Sequence, residues 1–212
     1  MTDTRQNVRS ILCSKGQNLL LQKRRNDVRT VIRYIVKKLV ILLYRIMCVI
    51  IPVNKKRIVF DSSLGKSYSG NPRHIFEYMV ENGYQFRYGR LRYLYYMATA
   101  KVWVFDCRQP EWLIKRKGCY YIQTWHGTPL KKLVLDMEDV FMVNETDIES
   151  YQKGFVKNVQ SWDFLISQNP FSTTTFRRAF DFNKCMLEIG YPRNDILFKK
   201  NNEEDIVRLK RR

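Results

Sequence analysis

Beyond Pro52 the chain alternates short apolar runs with helical stretches, and this alternation limits the fold more than any other feature. Five runs have the length and the β-branched or aromatic content of buried strands: Arg57–Asp61, Lys101–Asp106, Tyr120–Trp125, Asp163–Ser167 and Cys185–Ile189. Asn71-Pro72 offers a capping side chain and a first-turn proline to a helix that closes at Gly83. Arg92–Ala100 reads as a second helix, and Asn169-Pro170 repeats the capping device ahead of a third that ends at Phe180. Strands alternating with helices predict an α/β fold with a parallel, doubly wound sheet. One interval does not fit. After Gly83 only Tyr84-Gln85-Phe86 stands where a strand is due, short of the usual five or six residues or so.

The charge is unevenly placed. The 212 residues hold 38 Lys+Arg against 20 Asp+Glu, a formal net charge of +18. Residues 1–57 hold 14 of the basic residues and only Asp3 and Asp27 as acids, so +12 of the excess lies in this arm. A basic arm on a near-ordinary domain argues against a nucleic-acid binder, and the aromatics form no ribonucleoprotein motif. Within the arm, residues 28–51 read as an amphipathic helix. Arg33, Lys37, Lys38 and Arg45 share one face with Tyr34 and Tyr44, and Ile32, Ile35, Val36, Leu39, Leu42, Leu43 and Ile46 fill the other. Spanning a bilayer would put Lys37, Lys38 and Arg45 in hydrocarbon at about 2.5–3.5 kcal/mol each. Lying on an anionic membrane surface keeps them among headgroups, with Lys23, Arg24, Arg25 and Arg29 adding attraction. Packing of the apolar face on the following domain is the competing reading. The five cysteines are widely spaced without a Cys-x-x-Cys pair and there are two histidines, so neither a disulfide framework nor a metal site is expected.

Three stretches carry candidate chemistry. Gly65-Lys66-Ser67 suggests a phosphate loop, but Phe60 stands where that motif needs glycine. The Ser/Gly-rich loop 62–71 nonetheless follows a strand and precedes a helix, where open sheets bind ligands. Trp125-His126-Gly127-Thr128-Pro129-Leu130-Lys131-Lys132 leaves the carboxyl end of another strand. A histidine there can take a proton from an attacking hydroxyl, Gly127 admits close backbone approach, Thr128 offers a hydroxyl, and Lys131 and Lys132 can neutralise phosphate. A turn in which His126 only satisfies a backbone carbonyl fits the spacing equally well. Asp136 is a candidate orienting carboxylate or simply a solvated acid. Arg193, after the last strand, is placed to meet a phosphate or to serve a rigid turn. His74 reads as structural, and Lys115-Arg116-Lys117 as a solvated face.

QTWHGTPLKKLVLD (123–136), FDSSLGKSYSGNPRHIFEYM (60–79) and GYPRNDILF (190–198) together resemble the CDP-glycerol glycerophosphotransferase family of teichoic acid synthesis. The resemblance implies a glycosyltransferase-B architecture of two Rossmann-like halves, of which residues 58–195 would be the N-terminal, acceptor-side half. Residues 1–57 would be a membrane-associating arm, and residues 196–212 the start of a linker toward a second half. The implied reaction moves glycerol phosphate from CDP-glycerol, or ribitol phosphate from CDP-ribitol, to an undecaprenyl-diphosphate-linked acceptor at the cytoplasmic face of the cell membrane, with no cofactor. His126 would stand at the general base, with Trp125, Gly127, Thr128 and Pro129 along the donor and Arg193 at its phosphates. Val134 stands where the family usually has glycine. The second half, with its nucleotide pocket and second histidine, would lie past Arg212. The chain alone is therefore expected to have little or no transferase activity unless an oligomer or a complementing C-terminal chain completes it. A membrane-attached binding domain without turnover is the alternative.

Overall fold

The computed structural model describes residues 28–84, 92–139 and 147–199. The chain divides into two units, Met1–Ile46 and Met47–Arg212. The first contributes most of helix α1, which runs over residues 28–50. Its apolar residues Val31, Ile32, Ile35, Val36, Leu39, Leu42 and Leu43 are all more than half exposed. Among the described residues no helix is long and apolar enough to cross a membrane.

The second unit is built on strands β1 (Asn54–Asp61), β2 (Ala100–Phe105), β3 (Tyr120–Gln123), β4 (Phe164–Ser167) and β5 (Cys185–Glu188). They form one sheet in the order β1-β2-β3-β4-β5, every pairing parallel. Helices α2 (Gly70–Glu81) and α3 (Tyr93–Thr99) lie between β1 and β2 in the chain, α4 (Ile148–Val159) between β3 and β4, and α5 (Pro170–Phe180) between β4 and β5. A short α6 (Ile196–Lys199) follows β5. The register sets Val59 beside Trp103 and Phe60 beside Val104, so alternate residues face opposite sides of the sheet. On one side Phe60 meets Phe76 of α2 at 5.6 Å between ring centroids. On the other, Trp103, Phe105 and Tyr121 form an aromatic cluster that continues through Trp162 to Phe155 of α4 and Phe180 of α5. Trp103, Phe105, Tyr121, Trp162 and Phe180 are buried, each worth about 1.5–3 kcal/mol on the usual scale for removing such a side chain from water. Helices thus cover both faces, the arrangement the alternating pattern predicts.

Two local readings need correction. The Asn169-Pro170 device forms as read: the Asn169 side chain accepts from the Ser172 amide at 2.9 Å and Pro170 opens α5. Asn71-Pro72 does not. Helix α2 starts two residues earlier, at Gly70 with Ser69 at the cap, and Asn71 turns its side chain into the sheet edge instead of capping. The Lys115-Arg116-Lys117 run is also more than a solvated face. Lys115 pairs with Asp163 at 2.5 Å, and Arg116 donates to the carbonyls of Ile51 and Ala98 at 2.6 and 2.9 Å. Within the second unit these bonds gather the Ile51 and Ala98 carbonyls and the Asp163 carboxylate on two neighbouring basic side chains. The short strand due after Gly83 falls on residues 85–91, and most of the linker on 200–212, both outside the described residues.

Candidate functional site

The site forms where β2 and β3 end. The Thr124 amide still bonds the Phe105 carbonyl at 2.8 Å, but at Trp125 the backbone swings to φ +54° and the strand stops. A non-glycine residue in this region is costly, so its surroundings must hold it there. They do so from three directions. The Gln123 side chain accepts from the Trp125 amide at 3.0 Å. Asn71 Nδ2 donates to both the Thr124 and Trp125 carbonyls at 3.1 Å. The indole itself packs among Phe155, Phe176 and Phe180 at 6.4, 5.8 and 4.8 Å.

That turn delivers His126 to the surface. Its ring stacks on Trp125 at 4.5 Å with 25° between planes, and its Nδ1 lies 3.0 Å from the Asp106 carbonyl oxygen. A carbonyl has no proton to give, so Nδ1 carries the hydrogen and donates it. In the neutral ring the lone pair then falls on Nε2. Satisfying a backbone carbonyl and serving as a base are therefore compatible, one ring nitrogen for each. Arg193 joins from the far end of the sequence, donating from its guanidinium to the His126 carbonyl at 3.0 Å and from its amide to Asn71 Oδ1 at 3.3 Å. The Tyr191 hydroxyl donates to the Gly127 carbonyl at 2.8 Å, and Thr128 donates to Gln168 at 3.1 Å.

The Ser/Gly loop closes over the same edge. The Asp106 carboxylate accepts from Ser62 Oγ at 2.6 Å and the Ser63 amide at 2.9 Å. Asp61, at the end of the neighbouring strand, accepts from the Gly65 amide at 2.5 Å, and burial pushes its carboxyl above the ordinary value. Gly70 is needed here twice over: its φ is +67°, and a Cβ would sit 3.2 Å from Asp106 Oδ2.

Trp125, His126, Gly127, Thr128 and Arg193 are thus brought together at one edge. Pro129, Lys131, Lys132 and Asp136 are not beside the ring. They line a separate depression of about 490 Å³ with Arg178 and Phe171. Lys132 pairs with Glu138, and Asp136 takes both its oxygens to Arg178 at 2.8 Å, which holds its carboxyl below the usual range. Asp136 therefore does not orient His126. The group that does is the Asp106 carbonyl. Being a backbone carbonyl, it left no residue-type signal in the sequence. His74 bonds the Gly70 carbonyl at 3.0 Å, in keeping with a structural part.

Two expectations arise here. Val134, a β-branched residue, has φ +39° and is 2% exposed. Glycine there gives up buried side chain but releases backbone strain, so Val134→Gly should cost about 1 kcal/mol. The control Val159→Gly, equally buried at the C-terminal end of α4, should cost about 3 kcal/mol through the lost side chain and the cavity it leaves, and equal losses in urea melts would refute the strain. Burial also pushes Tyr191 up to about 12, and moves Tyr93 and Tyr121 in the same direction. An unfolded tyrosine ionises near 10, so this stabilisation is complete below about pH 10 and is lost as pH rises toward the folded value. The last step of phenolate absorbance, from these buried tyrosines, should be cooperative and coincide with unfolding as pH is raised. Ionisation of all 13 tyrosines in a protein that stays folded would contradict it.

Comparison with known proteins adds a second line. The family model described as CDP-Glycerol:Poly(glycerophosphate) glycerophosphotransferase matches residues 80–212. A teichoic acid poly(glycerol phosphate) polymerase of Bacillus spizizenii is 44% identical over 187 residues, covering 77% of this chain and 47% of the relative. A teichoic acid glycerol-phosphate transferase of Staphylococcus aureus is 39% identical over 176 residues, covering 73% and 45%. Among solved structures, the wall teichoic acid polymerase TagF, as a histidine-to-asparagine variant soaked with CDPG, superposes with TM-score 0.73 at 34% identity, over 85% of this chain and 52% of that one. The chain spans about half the length of the curated relatives it matches. Its sheet and helices are the Rossmann-like α/β fold of that glycosyltransferase-B neighbour.

Proposed function

Because the chain belongs to the CDP-glycerol:poly(glycerophosphate) glycerophosphotransferase family, we propose that it supplies the acceptor-activating half of a teichoic acid glycerophosphotransferase. The supporting observation is His126, exposed at the sheet edge with Nδ1 tied to the Asp106 carbonyl and Nε2 left to take a proton. In this reading Nε2 removes the proton from an acceptor hydroxyl as its oxygen attacks the glycerol-bearing phosphorus of CDP-glycerol. The new P–O bond forms, the bond to CMP breaks, and CMP leaves with the electron pair. The imidazolium that results is supported by the Trp125 face beneath it and by the Asp106 carbonyl at Nδ1. Arg193 uses a single short bond, to the His126 carbonyl, leaving guanidinium donors for a phosphate whose charge grows during transfer. The acceptor is taken to be an undecaprenyl-diphosphate-linked glycerol phosphate, and the donor CDP-glycerol rather than CDP-ribitol.

The test is CMP release from CDP-glycerol by the chain supplied with a complementing C-terminal half, with and without a lipid-linked acceptor ending in a glycerol hydroxyl. Release that requires the acceptor supports transfer. Release indifferent to the acceptor overturns it, and binding of acceptor without any release leaves the binding domain instead.

Attachment to the cytoplasmic face of the membrane is part of the proposal. The exposed apolar side chains of α1, with Arg33, Lys37, Lys38 and Arg45 alongside, support burial of one face among anionic headgroups. Flotation with anionic liposomes should carry the protein upward at low salt. Replacing Leu39 and Leu42 by Glu should leave it in the bottom fraction, and undiminished flotation of that variant would count against this face.

A further inference from the structure

A groove of about 630 Å³ runs beside His126, between residues 107–111 after β2 and the inner face of α4. Trp125 and Phe155 form part of its floor, and it shares no residue with the depression around Lys131. Three features of it are unexplained by packing. Arg108 lies with its guanidinium 4.3 Å over the Phe155 ring and 5.6 Å over Tyr151, and it forms no ion pair with any described carboxylate. Glu111, the acid on this rim, is taken up by Lys157 at 3.8 Å, while the Asp106 carboxylate is occupied by Ser62 and Ser63. Gln109 is 5% exposed, and among the described residues its buried Nε2 has no hydrogen-bond partner; neither has the buried Oδ1 of Asn158, on the α4 wall. A stacked, unpaired guanidinium held in a groove is pre-organised for an anion, and orphaned amide groups cost about 1–3 kcal/mol each unless a ligand satisfies them.

We infer that this groove is the subsite for the acceptor's own polyol phosphate, with Arg108 on its phosphodiester and the Gln109 and Asn158 amides on its hydroxyls. The inference rests on the proposed transfer reaction, because that reaction puts a polyol phosphate next to the histidine. A phosphodiester one glycerol away from the attacking hydroxyl would let Arg108 fix where that hydroxyl falls relative to Nε2. It also separates the two anions of the reaction: the acceptor's on Arg108 and the donor's on Arg193.

The same phosphate chemistry could come from the donor, so the experiment compares sources. Glycerophosphoglycerol, CDP-glycerol and inorganic phosphate are each titrated calorimetrically into the full chain and into Arg108→Ala, Arg108→Lys and Lys157→Ala. Arg108→Ala should weaken glycerophosphoglycerol about tenfold or more, with partial recovery in Arg108→Lys, which keeps the charge but not the stacked fork. Lys157→Ala, which removes a nearby rim cation, should change it less than about twofold, so that general attraction to a basic chain is excluded. CDP-glycerol and inorganic phosphate should be insensitive to Arg108. Binding of glycerophosphoglycerol that is absent, or that survives Arg108→Ala within twofold in a variant with unchanged melting, overturns the subsite. So does a tenfold loss confined to CDP-glycerol, which would make this a donor site. Failure of the transfer reading looks different: Arg108-dependent acceptor binding would persist in a chain that releases no CMP.

Discussion

In the chain completed by a C-terminal half, His126→Ala should lower acceptor-dependent CMP release by about 10²- to 10⁴-fold, the range a positioned general base contributes. Alanine removes the base, the stacked partner of Trp125 and the Nδ1 bond to the Asp106 carbonyl together. His126→Asn separates these. The asparagine amide nitrogen reaches about as far as Nδ1 and can still donate to the Asp106 carbonyl, but nothing stands at Nε2 to accept a proton. The two variants should therefore lose activity alike, while His126→Asn melts closer to the parent. Acceptor-dependent release within tenfold of the parent in His126→Asn would remove the histidine from the chemistry and leave only its part in the turn.

The second large effect is on structure. Asn71 is fully buried and makes three bonds to distant backbone: Nδ2 to Thr124 and Trp125, Oδ1 from the Arg193 amide. Asn71→Ala strands those groups without water to replace the bonds, and should cost about 3–5 kcal/mol. Asn71→Asp is the sharper test because its size is unchanged. Its carboxylate would face two carbonyl oxygens, which favours the protonated form and raises its pKa in the folded state. That contribution is present below about pH 4, where the unfolded carboxyl is also protonated, and is lost as pH rises through the raised folded value. Asn71→Asp should thus be destabilised near neutral pH and regain ground relative to the parent in acid. A loss independent of pH in urea melts would show that the carbonyls are not what the side chain faces.

The same residue shows where sequence reading succeeds and stops. Asn71-Pro72 and Asn169-Pro170 are identical dipeptides, and only the second caps a helix. Capping is a local matter, settled by the next three amides, and local patterns are what a sequence displays. The bond from Asn71 to residue 124 depends on two strand ends lying side by side, which no local window reveals. The strands were legible for the same reason as the second cap: short β-branched and aromatic runs between helix signals leave few alternatives. The histidine stretch could be read because a strand end is where such sheets bind ligands. The partner that orients its ring, by contrast, is a backbone carbonyl 20 residues away, and a carbonyl has no residue type to read. Asp136 misled by proximity in sequence, since its partner Arg178 lies 42 residues on.

The clamp at Asn71 joins pieces up to 122 residues apart without a covalent link. Residues 71, 124–125 and 193 can therefore adopt their working arrangement only when α2, β3 and the turn after β5 are docked at the same time. Local opening of any one of them releases the other two. Amide exchange at Arg193 should accordingly follow that of the sheet interior rather than of an ordinary surface turn, so that the readiness of the histidine to react becomes a measure of the cooperativity of the whole sheet.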